Sequence, residues 1–218
     1  MQRFFDLPHA QWRRMDRCLH LYAIPEPSSE LLSASDEAIA ALREIQGIEV
    51  QPPEFVHVTL QRLDAYEEDL RAPAWRKLLA AAPSVLSHRR TFELAFEKPR
   101  AMSHAVEAVA EGGVHWARLI ADIRQMVLAH LPDGVLVPPP LVPHYSLAYC
   151  TEDRSDEPVE SALKPTATRT RMRVAEVSLV SVTQAPREGR FSFDVLERWP
   201  LGDRLPPSRL AQEQEHVR

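Results

Sequence analysis

The sequence predicts an α+β fold of two related αβ lobes, each with an antiparallel sheet carrying one short His motif. Three observations lead there. Val56-His57-Val58-Thr59-Leu60 and Pro143-His144-Tyr145-Ser146-Leu147 both read His, any residue, a hydroxyl residue, Leu, and they fall one in each half of the chain. The apolar pattern gives strand, helix, strand, helix, strand, strand, then helix, strand, helix, strand, strand. At 218 residues, with 44% hydrophobic and 26% charged, the chain can bury a substantial core without disulfides or metals.

Residues 1–16 carry little pattern. Cys18 to Ile24 alternates as a strand and is stopped by Pro25 and Pro27. Ser33 or Ser35 is placed to cap a helix from Asp36 to about Gln46, where Ile39, Leu42 and Ile45 share a face and Gly47 ends the run. Pro52-Pro53 leads into the first motif strand, about Phe55 to Leu63. Strand side chains alternate, so Val56, Val58 and Leu60 fill a core while His57, Thr59 and Gln61 face the cleft and Arg62 faces away. A second helix is expected from about Ala74 to Ala82. Thr91 to Glu97 then alternates as a strand, with Ala105 to Val109 as its partner.

After Gly112-Gly113 a helix from about His115 to Leu131 shows Trp116, Leu119, Ile120, Ile123, Val127 and Leu131 at helical spacing, which predicts packing along a sheet. The Pro-rich connection from Pro132 to Pro143 delivers the second motif strand, His144 to Cys150. Here Tyr145 and Leu147 point inward, His144 and Ser146 face the cleft, and Ala148 and Cys150 continue that face. A short helix over Glu157 to Leu163 and two strands, Val174 to Thr183 and Phe191 to Trp199, close the fold. Residues 1–202 are expected to form one bilobal domain and 203–218 a polar, flexible tail.

Composition narrows the function. A net charge of −5 argues against a long basic groove gripping a DNA duplex by its backbone, so an anionic ligand should be small or held locally. Cys18 and Cys150 cannot build a disulfide framework, and no segment reads as a signal peptide or membrane span. These features predict a cytoplasmic protein without membrane association, expected to act as a monomer.

The paired motifs carry the chemistry. An imidazole and a hydroxyl two residues apart on a strand meet one phosphate, and the pattern arising twice among nine histidines exceeds what chance supplies. In-line displacement at phosphorus requires a base for the attacking water and an acid for the departing oxygen, and two imidazoles supply both. Two hydroxyls donate to the non-bridging oxygens as charge builds there. No His-Glu-x-x-His, Cys-x-x-Cys or acidic triad is present, so no metal or other cofactor is expected. Two histidines and two His-x-Thr/Ser-Leu strands, one per half, resemble the 2H phosphoesterase superfamily, in particular the bacterial 2′-5′ RNA ligase or RNA 2′,3′-cyclic phosphodiesterase group. The resemblance implies a bilobal pseudo-twofold fold with the motifs facing each other across a central cleft, and catalytic roles for His57, Thr59, His144 and Ser146. It implies hydrolysis of 2′,3′-cyclic phosphate RNA ends, or of small cyclic-phosphate or 2′-5′-linked nucleotides, with 2′-5′ ligation as the reverse reaction.

Specificity is less clearly written. Gln61 and Tyr145 are candidates for substrate contact, and Tyr22, Tyr149 and Trp116 for stacking on a base or packing in the core. Arginine clusters at 13–17, 89–90 and 169–173 either guide an RNA end or form a solvated face. Two alternatives stand beside the enzyme reading: a binding protein for phosphorylated RNA ends or nucleotides without turnover, and a metal-dependent hydrolase ligating through His57 and His144. Binding alone would be better served by Arg or Lys, and carboxylate partners for a metal are lacking.

Overall fold

The computed structural model describes residues 1–166 and 169–202, and over these the chain forms ten strands and four helices. In order they are β1 (Cys18–Ala23), α1 (Glu30–Leu42), β2 (Ile48–Val50), β3 (Val58–Tyr66), α2 (Pro73–Leu86), β4 (Phe92–Glu97), β5 (Arg100–Ala101), β6 (Ala105–Val109), α3 (Gly113–His130), β7 (His144–Cys150), α4 (Glu157–Leu163), β8 (Arg169–Val174), β9 (Glu176–Ala185) and β10 (Arg190–Pro200). The expected tail, 203–218, lies outside the described residues. No described helix is long and apolar enough to cross a membrane.

Two four-stranded antiparallel sheets carry the motifs. One runs β10-β9-β1-β3, with His57 just ahead of β3; the other runs β2-β7-β6-β5, with His144 opening β7. The chain crosses between them repeatedly. Helices α2 and α3 pack on each other and against β10 and β3, while α1 and α4 pack against β7, β8 and β5. The core between these layers is continuous, from Leu19 and Leu21 through Leu60, Leu63 and Phe96 to Ile123, Leu147 and Leu179. Buried Gln51 ties the sheets: its Nε2 donates to the Phe191 carbonyl at 2.5 Å, its Oε1 accepts from Phe191 N, and its own N–H donates to Leu147 O.

Several boundaries differ from the sequence expectation. Helix α1 begins at Glu30 rather than Asp36 because Ser29 is the cap, its side chain accepting from Leu32 N; Ser33 and Ser35 lie inside the helix. The core face is Leu31, Ser35, Ala38, Ile39 and Leu42. Strand β4 pairs with β8, not with β6, because Leu94 and Phe96 of β4 lie opposite Met172 and Thr170, so that both strands bury the same side. Ala105–Val109 is taken instead by β7 and β5.

One irregularity recurs at both motifs. In the β1–β3 ladder Tyr22 lies opposite Thr59 and Leu21 opposite Gln61, leaving Leu60 as an extra residue. In β6–β7 Glu107 lies opposite Ser146 and Val106 opposite Ala148, leaving Leu147 as the extra residue. Each bulge sits on the Leu of its motif. A bulge adds a residue to one strand and interrupts the two-residue alternation, so Leu60 and Gln61 both turn inward, as do Leu147 and Ala148. The cleft face resumes three residues after the hydroxyl, at Arg62 in one strand and Tyr149 in the other. The pseudo-twofold therefore extends past the motif into the strand geometry.

Candidate active site

Each motif histidine is held by the backbone just ahead of it. Pro53–Phe55 form a turn of 3-10 helix before His57, and the Phe55 carbonyl lies 2.7 Å from His57 Nδ1. Past the prolyl segment, the Val142 carbonyl lies 3.0 Å from His144 Nδ1. A carbonyl can only accept, so Nδ1 carries the proton in both rings and Nε2 is left for the cleft. His57, Thr59, His144 and Ser146 converge on one cavity of about 330 Å³, which Tyr22, His20, Tyr149, Glu107, His104 and the aromatics Phe4, Trp12 and Phe191 complete.

The two halves of the cavity differ in polarity. The His57 ring is stacked on Tyr22 at 3.8 Å between centroids, 13° from parallel, with Phe193 edge-on. This enclosure lowers the His57 pKa to about 4, burial being the main cause and the His144 charge adding to it, against the opposing Phe55 carbonyl. On the other side Ser146 Oγ donates to Glu107 Oε1 at 3.3 Å, and Glu107 is the one carboxylate among the cavity-lining residues. Tyr22 and Tyr149 line the same cavity, and burial raises both phenols. Among the described residues no group of three or more His, Cys, Asp or Glu side chains could hold a metal ion.

The bulges overturn three expectations. Gln61 is fully buried and does not face the cleft: its Nε2 donates to Val137 O and its Oε1 accepts from Arg124. Arg62, expected on the outer face, lines the cleft beside Thr59. Cys150 is buried, its place on the cleft face taken by Tyr149. Tyr145, a candidate for substrate contact, is 1% exposed and lies in the core, its ring edge-on to Phe96 and its hydroxyl 3.3 Å from Thr170 Oγ1. Trp116 is likewise core, whereas Tyr22 and Tyr149 line the cavity. The arginine clusters do not: Arg14 and Arg17 pair with Glu68 and Glu67, Arg89 with Asp122 and Arg171 with Glu93.

Sequence reasoning missed the N-terminal wall and three further histidines. Phe4 meets Tyr149 of one sheet at 4.5 Å and Phe191 of the other at 5.8 Å. Gln2 N–H donates to Ser103 O and Gln184 Nε2 to Ala10 O, so this unpatterned segment closes one end of the cleft. It brings His9 to 5.4 Å from His104. His20, 3% exposed, has its pKa lowered to about 3, chiefly by burial. Unfolding restores an ordinary imidazole that takes up a proton below about pH 6.5, so this contribution is intact above that pH and is lost as pH falls toward 3. Between pH 7 and 5 the stability lost to His20 should be about 2 kcal/mol. Urea midpoints at the two pH values, wild type beside His20→Phe, check this: the variant should lose that much less, and parallel losses would contradict it.

With the geometry in hand, a family model described as the 2′-5′ RNA ligase superfamily matches residues 31–185. No curated protein sequence matches the chain. Among solved structures it is similar to TT0787 of Thermus thermophilus, with a TM-score of 0.62 and 21% identity over 86% of this chain and 100% of that one. It is also similar to E. coli LigT complexed with 3′-AMP, with a TM-score of 0.58 and 16% identity over 86% of this chain and 99% of that one.

Proposed function

The chain belongs to the 2′-5′ RNA ligase superfamily of 2H phosphoesterases, and from that premise we propose that it is a metal-independent phosphodiesterase opening 2′,3′-cyclic phosphates at RNA ends or on small nucleotides. The observation that carries this reading is the matched pair of imidazoles, each tethered through Nδ1 to its own backbone and each with Nε2 free toward one cavity that also holds a hydroxyl from either strand. Two free basic nitrogens across one cavity suit in-line displacement. Water attacks phosphorus while one imidazole takes its proton; the bond from phosphorus to a ribose oxygen breaks and the other imidazole protonates that oxygen. His57, held neutral by its enclosure, is the base. The acid's place falls to His144, on the half of the cavity that holds Glu107. By microscopic reversibility the same site joins ends through a 2′-5′ bond when product is abundant. The 3′-AMP named for LigT supports a ligand of nucleotide size.

Thr59 and Ser146 stabilise the charge that builds on the non-bridging oxygens. Ser146 must turn from Glu107 to do so, a rotation of one hydroxyl. Thr59→Val and Ser146→Ala should each lower kcat by about 10- to 1,000-fold with a smaller change in KM, because the bonds strengthen in the transition state. The reading as a whole is tested by hydrolysis of a panel of nucleoside 2′,3′-cyclic phosphates in excess EDTA. Turnover unaffected by the chelator supports it. Turnover abolished by EDTA and restored by a divalent cation would replace it with the metal-dependent alternative.

A further inference from the structure

The cavity of the paired motifs opens into a second one of about 590 Å³ that shares Thr59, His144 and Trp12 but not His57, and is walled by Val137-Pro138-Pro139-Pro140-Leu141, with Arg62 and Gln184. Two of these residues carry a group that is left unpaired. Arg62 is half-buried, yet its guanidinium has no carboxylate partner among the described residues; its contact is the Trp12 ring, 5.7 Å from the centroid. Gln184 is 4% exposed, with Nε2 committed to Ala10 O at 3.0 Å; its Oε1 is the one buried side-chain polar atom without a partner among the described residues. A buried acceptor left unpaired is costly, as is a partly desolvated cation. Together they ask for an anion and a hydrogen-bond donor in one place beside an indole.

The wall is built to stay. Gln61 Nε2 and Arg124 Nη1 both donate to Val137 O, at 2.9 and 3.0 Å, which pins the start of the prolyl segment to β3 and α3. Prolines add stiffness and an apolar surface without donors. A phosphate, a flat ring and a donor on that ring, one backbone step from a reacting cyclic phosphate, are what the preceding nucleotide of an RNA chain presents.

We propose that this second cavity, through Arg62, Trp12 and Gln184, binds the nucleotide on the 5′ side of the terminal cyclic phosphate, so that the preferred substrate is an oligonucleotide end rather than a mononucleotide. Arg62 takes the internucleotide phosphate, Trp12 stacks on the base and Gln184 Oε1 accepts from its N–H. This rests on the phosphodiesterase reading of the adjoining cavity.

The test compares kcat/KM for a nucleoside 2′,3′-cyclic phosphate with that for a dinucleotide ending in the same nucleoside 2′,3′-cyclic phosphate. Wild type should favour the dinucleotide at least tenfold. Arg62→Gln should bring the ratio down to within a few-fold of one, Arg62→Lys should restore part of it, and Gln184→Met should lower it without changing the salt dependence. A wild-type ratio near one, or equal losses on both substrates in Arg62→Gln, overturns the inference and leaves the phosphodiesterase reading standing. If wild type turns over neither, that reading falls, and the subsite is judged by indole fluorescence quenching with a dinucleotide ending in a 2′-phosphate. Binding no tighter than by a nucleoside 2′-phosphate overturns it there too.

Discussion

Alanine in place of His57 or His144 is expected to lower kcat/KM on a 2′,3′-cyclic phosphate by about 10²- to 10⁴-fold, and the double variant to cost little more than the worse single one. Both proton transfers belong to one displacement at phosphorus. Losing either stalls it, and the second loss then removes something already idle. The structure gives a reason to trust alanine here: the imidazoles sit at strand starts with Nδ1 bonded to carbonyls two residues back, and neither is among the residues that build the core. Each variant should therefore keep its fold, which near-UV circular dichroism and the urea midpoint check. Two results would go against the proposal. Additive losses in the double variant would mean that the imidazoles act in separate steps or at separate sites. Unchanged kcat with raised KM would mean that they bind the phosphate without moving its protons, as in a binding protein.

How much of this was legible beforehand depends on whether the determining contact lies along the strand or across it. Strand β7 and helix α4 run over the residues that their patterns indicate, because alternation and a Pro-started turn are local signals. The motif strands were legible up to Leu60 and Leu147 and misread beyond. Periodicity assigns faces only while the ladder is regular, and one unpaired residue exchanges Gln61 for Arg62 and Cys150 for Tyr149 on the cleft face. Leu in the motif is itself the clue, since a large apolar residue at the bulge fits where two successive side chains turn inward. Phe4, His9 and Trp12 gave no signal at all. A cavity wall contributed by an irregular segment has no period, and its placement is fixed by tertiary contacts with Tyr149, His104 and Phe191.

The pH dependence separates the two sides of the site. His57 accepts a proton only when neutral, so activity must fall tenfold per pH unit below its pKa in the free protein, which kcat/KM reports. An ordinary imidazole at 6.5 would be about 3% neutral at pH 5; at about 4, where stacking and burial hold His57, it is about 90% neutral. The acid limb of kcat/KM should therefore lie near pH 4, and the rate at pH 5 should exceed the ordinary expectation roughly 30-fold. A cyclic phosphodiester remains a monoanion throughout, so the limb belongs to the protein. Bound, that anion favours the imidazolium, and the limb of kcat should sit higher than that of kcat/KM. Tyr22 provides the control. Tyr22→Phe keeps the ring that stacks on His57 at 3.8 Å and should leave the limb in place, whereas Tyr22→Ala admits water to that face and should move it toward 6.5 by about a pH unit or more. A wild-type limb near 6.5 that neither substitution moves would show that His57 is not the base.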